Sequence, residues 1–171
     1  GTVEMVASET HCSEAVMEAQ SSELTNKYAE GDPGERYYGG WEFADDGENL
    51  AIERAKELFG AEHVNVQPHS GSSANMGVYF ATLEPGDRIL SLDLTHGGHL
   101  SHGHSAHFAG QLYDVEHYEV DADTGRLDYE SLREKAESFD PDMIVSGYSA
   151  YPREVQWEEI QAAADAVDAL H

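Results

Sequence analysis

The chain has 171 residues, 40 % of them apolar, enough for a domain with a packed core. Asp and Glu number 34 against 9 Lys and Arg, a formal charge of −25, the wrong sign for a nucleic-acid binder. No apolar run is long enough to span a bilayer, and no signal-peptide pattern opens the chain. The acidic residues are scattered along the whole length and lysine is confined to Lys27, Lys56 and Lys135. Such a surface suits molar salt, where the Debye length falls to about 3 Å and self-repulsion is screened. Cys12 is the only cysteine, so an internal disulfide is excluded and a reducing, cytoplasmic setting is expected. Its place ahead of a helix-forming stretch reads as packing rather than as a nucleophile.

In chain order, a helix is expected over about 13–24 with Ser13 as N-cap. A polar, aromatic, glycine-rich stretch from Asn26 to Phe43 reads as a long functional loop. Leu50, Ala51, Ala55, Leu58 and Phe59 recur at helical spacing over about 47–59, and Gly60 is the stop. Val64 and Val66 alternate with polar residues in a short strand, His63 to Gln67. The turn Ser70-Gly71-Ser72-Ser73 opens a helix that ends near Leu83, and Pro85-Gly86 turns the chain. Ile89 to Leu92 is a strand, followed by a histidine- and glycine-rich loop to about Phe108. Leu112 to Val120 is strand-like, Asp121 to Gly125 a turn, Asp128 the start of a helix, Met143 to Val145 a buried strand, and Trp157 onward a helix. Strands separated by helices indicate an α/β domain with a largely parallel sheet. Its functional residues should gather at the carboxyl ends of the strands. Gly1 at one end and a helical stretch without a stop signal at the other read as cuts in a longer protein.

Three features carry chemistry. The Ser/Gly turn at a helix start offers free N–H groups and a partial positive charge, an anion site or an ordinary cap. The run Leu94-Thr95-His96-Gly97-Gly98-His99-Leu100-Ser101-His102-Gly103-His104 admits three readings: a metal cluster, exposed loop histidines, or one imidazole stacked on a flat cofactor. Its spacing fits no standard zinc motif. The third feature, Tyr28-Ala29-Glu30-Gly31 with Arg36-Tyr37-Tyr38, sets a carboxylate among phenols, either as acid–base apparatus or as a packed surface loop.

Taken together, five blocks resemble the serine hydroxymethyltransferase family. They are Leu24 to Gly31 with Pro33-Gly34 and Arg36 to Gly40; Leu50 to Gly60; Val66 to Ser72; His96 to Gly103; and Ser149 to Arg153. They occur in the family's order across nearly the whole chain. The resemblance implies a fold type I (aspartate aminotransferase-like) large domain that binds pyridoxal phosphate, with helices on both faces of the sheet and incomplete at its C-terminal end. Residues 1–45 would form an N-terminal helix and an active-site and dimer-interface loop, and residues 46–171 the first part of the cofactor-binding domain.

The activity implied is reversible transfer of the serine hydroxymethyl group to tetrahydrofolate or a related pterin, leaving glycine. By resemblance, Ser70, Gly71 and Ser72 hold the cofactor phosphate, His99 stacks on its ring, and Ser149 bonds its phenolic oxygen. Ser8 contacts the substrate carboxylate. Glu30 is the acid–base group, and Tyr28 and Tyr38 reach the neighbouring subunit's site in a homodimer or larger assembly. Tyr37, Leu94, Gly98 and Leu100 surround the folate. The Schiff-base lysine is expected beyond this chain, leaving the piece inactive alone.

Two rival readings are a folate-independent aldolase of threonine aldolase type and a degenerate homologue without activity. The sequence departs from the family pattern at Asp32 (usually tyrosine), Trp41 (small), Gly47 (helix-forming apolar) and Ser73 (longer polar). The charge pattern has its own consequence: the thermal midpoint should rise as KCl is raised from low to multimolar concentration, and a midpoint indifferent to salt would refute the salt-adapted reading.

Overall fold

The computed structural model describes residues 1–6 and 9–171. Residues 9–69 form one compact unit and residues 70–171 the main part of a second.

In the first unit, α1 (Glu14–Gln20) starts where cap chemistry requires, with the Ser13 hydroxyl accepting from the Val16 N–H. It is shorter than expected, and a 3₁₀ turn at Glu23–Asn26 follows. Cys12 is exposed rather than packed. Helix α2 (Glu42–Phe59) begins earlier than its apolar spacing suggests and stops at Gly60 in the left-handed conformation (φ 64°). Leu50, Leu58 and Phe59 on α2 are exposed, so the apolar stripe that makes the helix legible is not buried here.

Residues 63–67 are not a strand. A strand needs a ladder partner for its N–H and C=O groups; here the Gln67 N–H instead bonds the Asn65 side-chain oxygen (2.8 Å), a local turn. Alternation of Val64 and Val66 was a period-2 signal without a neighbour to pair with.

The second unit is an α/β layer structure. Helix α3 (Gly71–Thr82) has a capping box in which Ser70 and Ser73 bond each other's backbone. Strands β1 (Arg88–Leu92), β2 (Asp114–Tyr118) and β3 (Met143–Val145) lie in the order β2-β1-β3, all parallel. Helices α4 (Ala109–Leu112), α5 (Tyr129–Phe139) and α6 (Trp157–Ala166) complete it. Asp128 caps α5 through the Ser131 N–H. Leu90 and Leu92 pack with Leu132 and Ala136 of α5 and Ile160, Ala163 and Ala164 of α6. Ile89, on the opposite face, packs with Tyr79 of α3, Ala109 of α4, and Tyr113. The sheet is therefore covered by helices on both sides, as a parallel sheet requires.

One polar residue lies inside the central strand. Ser91 is fully buried; its hydroxyl donates to the His102 carbonyl (2.6 Å) and so accepts from His117 Nδ1 (3.0 Å). That pair ties the loop after β1 back onto the sheet. The same loop depends on Gly98. A Cβ there would lie 2.2 Å from the Leu92 carbonyl oxygen and 2.9 Å from that of Asp93, both fixed backbone atoms. Gly98→Ala should destabilise the protein by about 2 kcal/mol or more, read as a lowered denaturant midpoint; an unchanged midpoint would show that the loop is not held against β1.

Candidate cofactor site

Strand β1 ends at Leu92 and β3 at Val145, and the loops that leave these carboxyl ends meet. The loop after β1 makes two 3₁₀ turns, Leu94–His96 and Leu100–His102. The loop after β3 docks onto it: the Ser149 and Ala150 N–H groups both donate to the Gly97 carbonyl (3.1 Å each), and the Ser149 hydroxyl donates to the Gly98 carbonyl (2.9 Å). Between them and the first turn of α3 lies an open cavity of about 330 Å³. Gly71, Asn75, His99, His102, Gly147 and Ser149 are among the residues that line it.

The helix start supplies donors. The Ser73 and Ala74 N–H groups are used by the cap, whereas those of Gly71 and Ser72 have no protein partner among the described residues. Two free N–H groups and the positive end of a twelve-residue helix are what an anion would require. His99 is fixed by its neighbour: its Nδ1 accepts from the Ser101 N–H (3.1 Å) and lies 2.8 Å from the Ser101 hydroxyl. The His102 ring stands edge-on to it, centroids 5.7 Å apart. His102 is 8 % exposed and its Nδ1 has no hydrogen-bond partner among the described residues. Burial, helped by the nearby His99 and His107, pushes its pKa down to about 4.

Not every site residue expected from the sequence lines this cavity. Leu94 lines a different one with His96, Gly97 and Val120. Leu100 is exposed, and Gly98 is packed against the Leu92 backbone. Ser8 lies outside the described residues. Among the described residues no group of three or more His, Cys, Asp or Glu could hold a metal ion.

The aromatic loop belongs to the other unit. Tyr28 and Tyr38 meet edge to face with ring centroids 5.4 Å apart, and the Tyr28 hydroxyl donates to the Glu30 carboxylate (3.4 Å). Tyr28, Glu30, Tyr37 and Tyr38 are all exposed. Their backbone is held from behind by Arg36, which bonds Asp45 (2.9 Å), Glu48 and the Gly31 carbonyl. The Gly34 N–H (2.9 Å) and then Arg36 hold the Asp45 carboxylate below its ordinary pKa. Trp41 stacks on Arg36, 4.9 Å from ring centroid to guanidinium, and its Nε1–H donates to the Tyr28 carbonyl (3.1 Å). The sequence marks Trp41 only as an odd residue; its partners become visible once the loop folds back.

The sequence profile described as serine hydroxymethyltransferase matches residues 1–171. The chain belongs to the serine hydroxymethyltransferase family. The serine hydroxymethyltransferase of Halobacterium salinarum is 82 % identical over 170 residues, 99 % of this chain and 41 % of the relative. Those of Haloarcula marismortui and Natronomonas pharaonis are 76 % and 73 % identical over the same share of this chain, covering 41 % and 40 % of their own lengths. The chain thus spans about two fifths of the serine hydroxymethyltransferases that it matches. The fold type I assignment stands, with a parallel sheet that accounts for part of such a domain.

His102 has a consequence for stability. Its folded-state pKa lies below the ordinary 6.5, so between those values the unfolded chain takes up a proton that the folded chain refuses. Stability is therefore full above about pH 6.5 and declines toward pH 4. His107 and His171, also lowered by burial, act in the same direction. The depressed carboxylates Asp45, Asp93 and Asp121 lose their contribution only at lower pH. The thermal midpoint should fall by several degrees from pH 7 to pH 5, and His102→Gln should flatten that slope; an unaltered slope would show that His102 is not the group responsible.

Proposed function

We propose that this chain carries the cofactor-facing part of a serine hydroxymethyltransferase active site. There, pyridoxal phosphate is held between the start of α3 and His99, and a hydroxymethyl group passes reversibly between serine and tetrahydrofolate or a related pterin, leaving glycine. The observation that supports this reading most directly is one cavity shared by Gly71, His99 and Ser149 at the carboxyl ends of β1 and β3.

The residues suit that cofactor. A phosphate needs converging donors, and the unpartnered Gly71 and Ser72 N–H groups at the end of α3 provide them, with the Ser70 and Ser72 hydroxyls beside them. A flat ring needs a flat partner, and the imidazole of His99 is held in a fixed setting. A phenolic oxygen needs a hydroxyl, and Ser149 lines the cavity; its Oγ–H, which here donates to the Gly98 carbonyl, would turn to that oxygen. When bound, pyridoxal phosphate supplies the electron sink for the bond broken at the substrate Cα.

The remaining roles belong to the chain's own side chains. Glu30 holds a proton at one stage and releases it at another, at the hydroxymethyl group, with the Tyr28 hydroxyl as its neighbour. Tyr28 and Tyr38 act in a site shared between two copies, so residues 1–45 serve as the interface loop and residues 46–171 as the cofactor domain. The family resemblance assigns Tyr37, Leu94, Gly98 and Leu100 to the reduced folate and Ser8 to the substrate carboxylate. The setting is the cytoplasm of a salt-loving archaeon, in keeping with the charge of −25 and the sources of the relatives. Among the described residues no helix is long and apolar enough to cross a membrane.

Glu30→Gln in the whole enzyme should abolish folate-dependent serine cleavage, by about 100-fold or more, while pyridoxal phosphate still binds. Folate-dependent cleavage at the wild-type rate would remove Glu30 from the mechanism.

A further inference from the structure

Helix α3 does more than present its first turn. One turn in, the Asn75 side-chain amide donates to the Ser101 hydroxyl (2.8 Å). One turn further, the Tyr79 hydroxyl donates to the Ser101 carbonyl (2.9 Å). Ser101 and Tyr79 are buried, so the hydroxyl and carbonyl of Ser101 have no water as an alternative partner. The Ser101 N–H in turn donates to Nδ1 of His99 (3.1 Å), and the Ser101 hydroxyl lies 2.8 Å from the same nitrogen.

Donor and acceptor accounting fixes the direction of this chain. An amide NH₂ and a backbone N–H can only donate. The Ser101 oxygen, having accepted from Asn75, has one hydrogen left to give, and the atom within reach is His99 Nδ1. The Ser101 N–H decides the matter: it can only donate, so Nδ1 must present its lone pair, and the hydroxyl adds its hydrogen to the same nitrogen. The opposite tautomer would set the ring N–H against the Ser101 N–H. A half-turn of the ring would replace Nδ1 by a carbon and strand both donors.

We propose that Asn75 and Ser101 are positioning residues that fix His99 as the tautomer protonated at Nε2 and lock its ring against the cofactor cavity. The cavity's two gripping features, the helix start and the imidazole, are thereby built on one rigid element. The distance between them is set by α3 rather than by the loop. This inference rests on the reading that His99 lies against pyridoxal phosphate. The tautomer itself does not depend on that reading. His102 supports the arrangement: kept neutral by burial, it stands edge-on to His99 without adding a charge.

The test uses the full-length protein labelled with ¹⁵N-histidine, with His99→Asn identifying the His99 signals in long-range ¹H–¹⁵N spectra. Wild-type His99 should show an unprotonated Nδ1 and a protonated Nε2. Asn75→Leu and Ser101→Ala should each move the tautomer ratio by about five-fold or more toward Nδ1–H, and Ser101→Thr, which keeps the hydroxyl, should restore it. Affinity for pyridoxal phosphate, by equilibrium dialysis, should weaken about ten-fold in the first two variants and recover in the third.

A wild-type His99 protonated at Nδ1 overturns the proposal, even if every variant fails to fold. So does a wild-type tautomer ratio kept in both Asn75→Leu and Ser101→Ala. If the wild-type protein shows the Nε2–H tautomer but does not bind pyridoxal phosphate, the proposed function falls while the assignment of the clamp survives.

Discussion

Burial of β1 on both faces is the constraint from which the rest of the second unit follows. Ile89, Leu90 and Leu92 are each 1 % exposed or less, so helices must cover the sheet above and below, as suits a strand whose two neighbours both run parallel to it. A parallel central strand then opens its carboxyl end beside that of β3, and the two loops leaving those ends meet over the sheet. The buried Ser91 extends the constraint to the loop, because its hydroxyl must find a partner and finds the His102 carbonyl. The position of the histidine loop is thus a consequence of how the core satisfies one serine.

The cofactor cavity combines two kinds of preorganisation. Its anion end costs nothing to assemble, since unpaired N–H groups are a property of any helix start. Its ring end is more demanding: an imidazole on an irregular loop must be held in one orientation, and here three side chains and a backbone N–H do so. Gly98 permits the loop's close approach to Leu92, where any Cβ would collide with backbone. Both ends of the cavity are thus set before any ligand arrives.

Where the sequence was legible, local chemistry decided the structure. Ser13, Ser70 and Asp128 cap the helices that follow them, and Gly60 ends α2 because a left-handed residue is needed there. Strands β1 and β3 were legible as short apolar runs between turn signals. At residues 63–67 alternation is a property of the residues, but a strand is a property of a pair. Nothing in the sequence marks the link from Asn75 to Ser101 or the packing of Arg36 against Asp45, Glu48 and Trp41. Those contacts join residues whose separation along the chain carries no period. The cavity-lining roles of Gly71, His99 and Ser149 were suggested by family resemblance, and the clamp behind His99 only by hydrogen-bond accounting in three dimensions.

Trp41 gives the aromatic loop an optical signature. Its indole lies beside two cations, Arg36 at 4.9 Å and Lys27 at 5.2 Å, and bonds the carbonyl of Tyr28. Positive charge near an indole shifts its emission, so undocking of the loop changes colour as well as shape. The chain has just one other tryptophan, Trp157, on α6 in the other unit. Replacing Trp157 with phenylalanine would leave a single fluorophore reporting on the segment that carries Glu30.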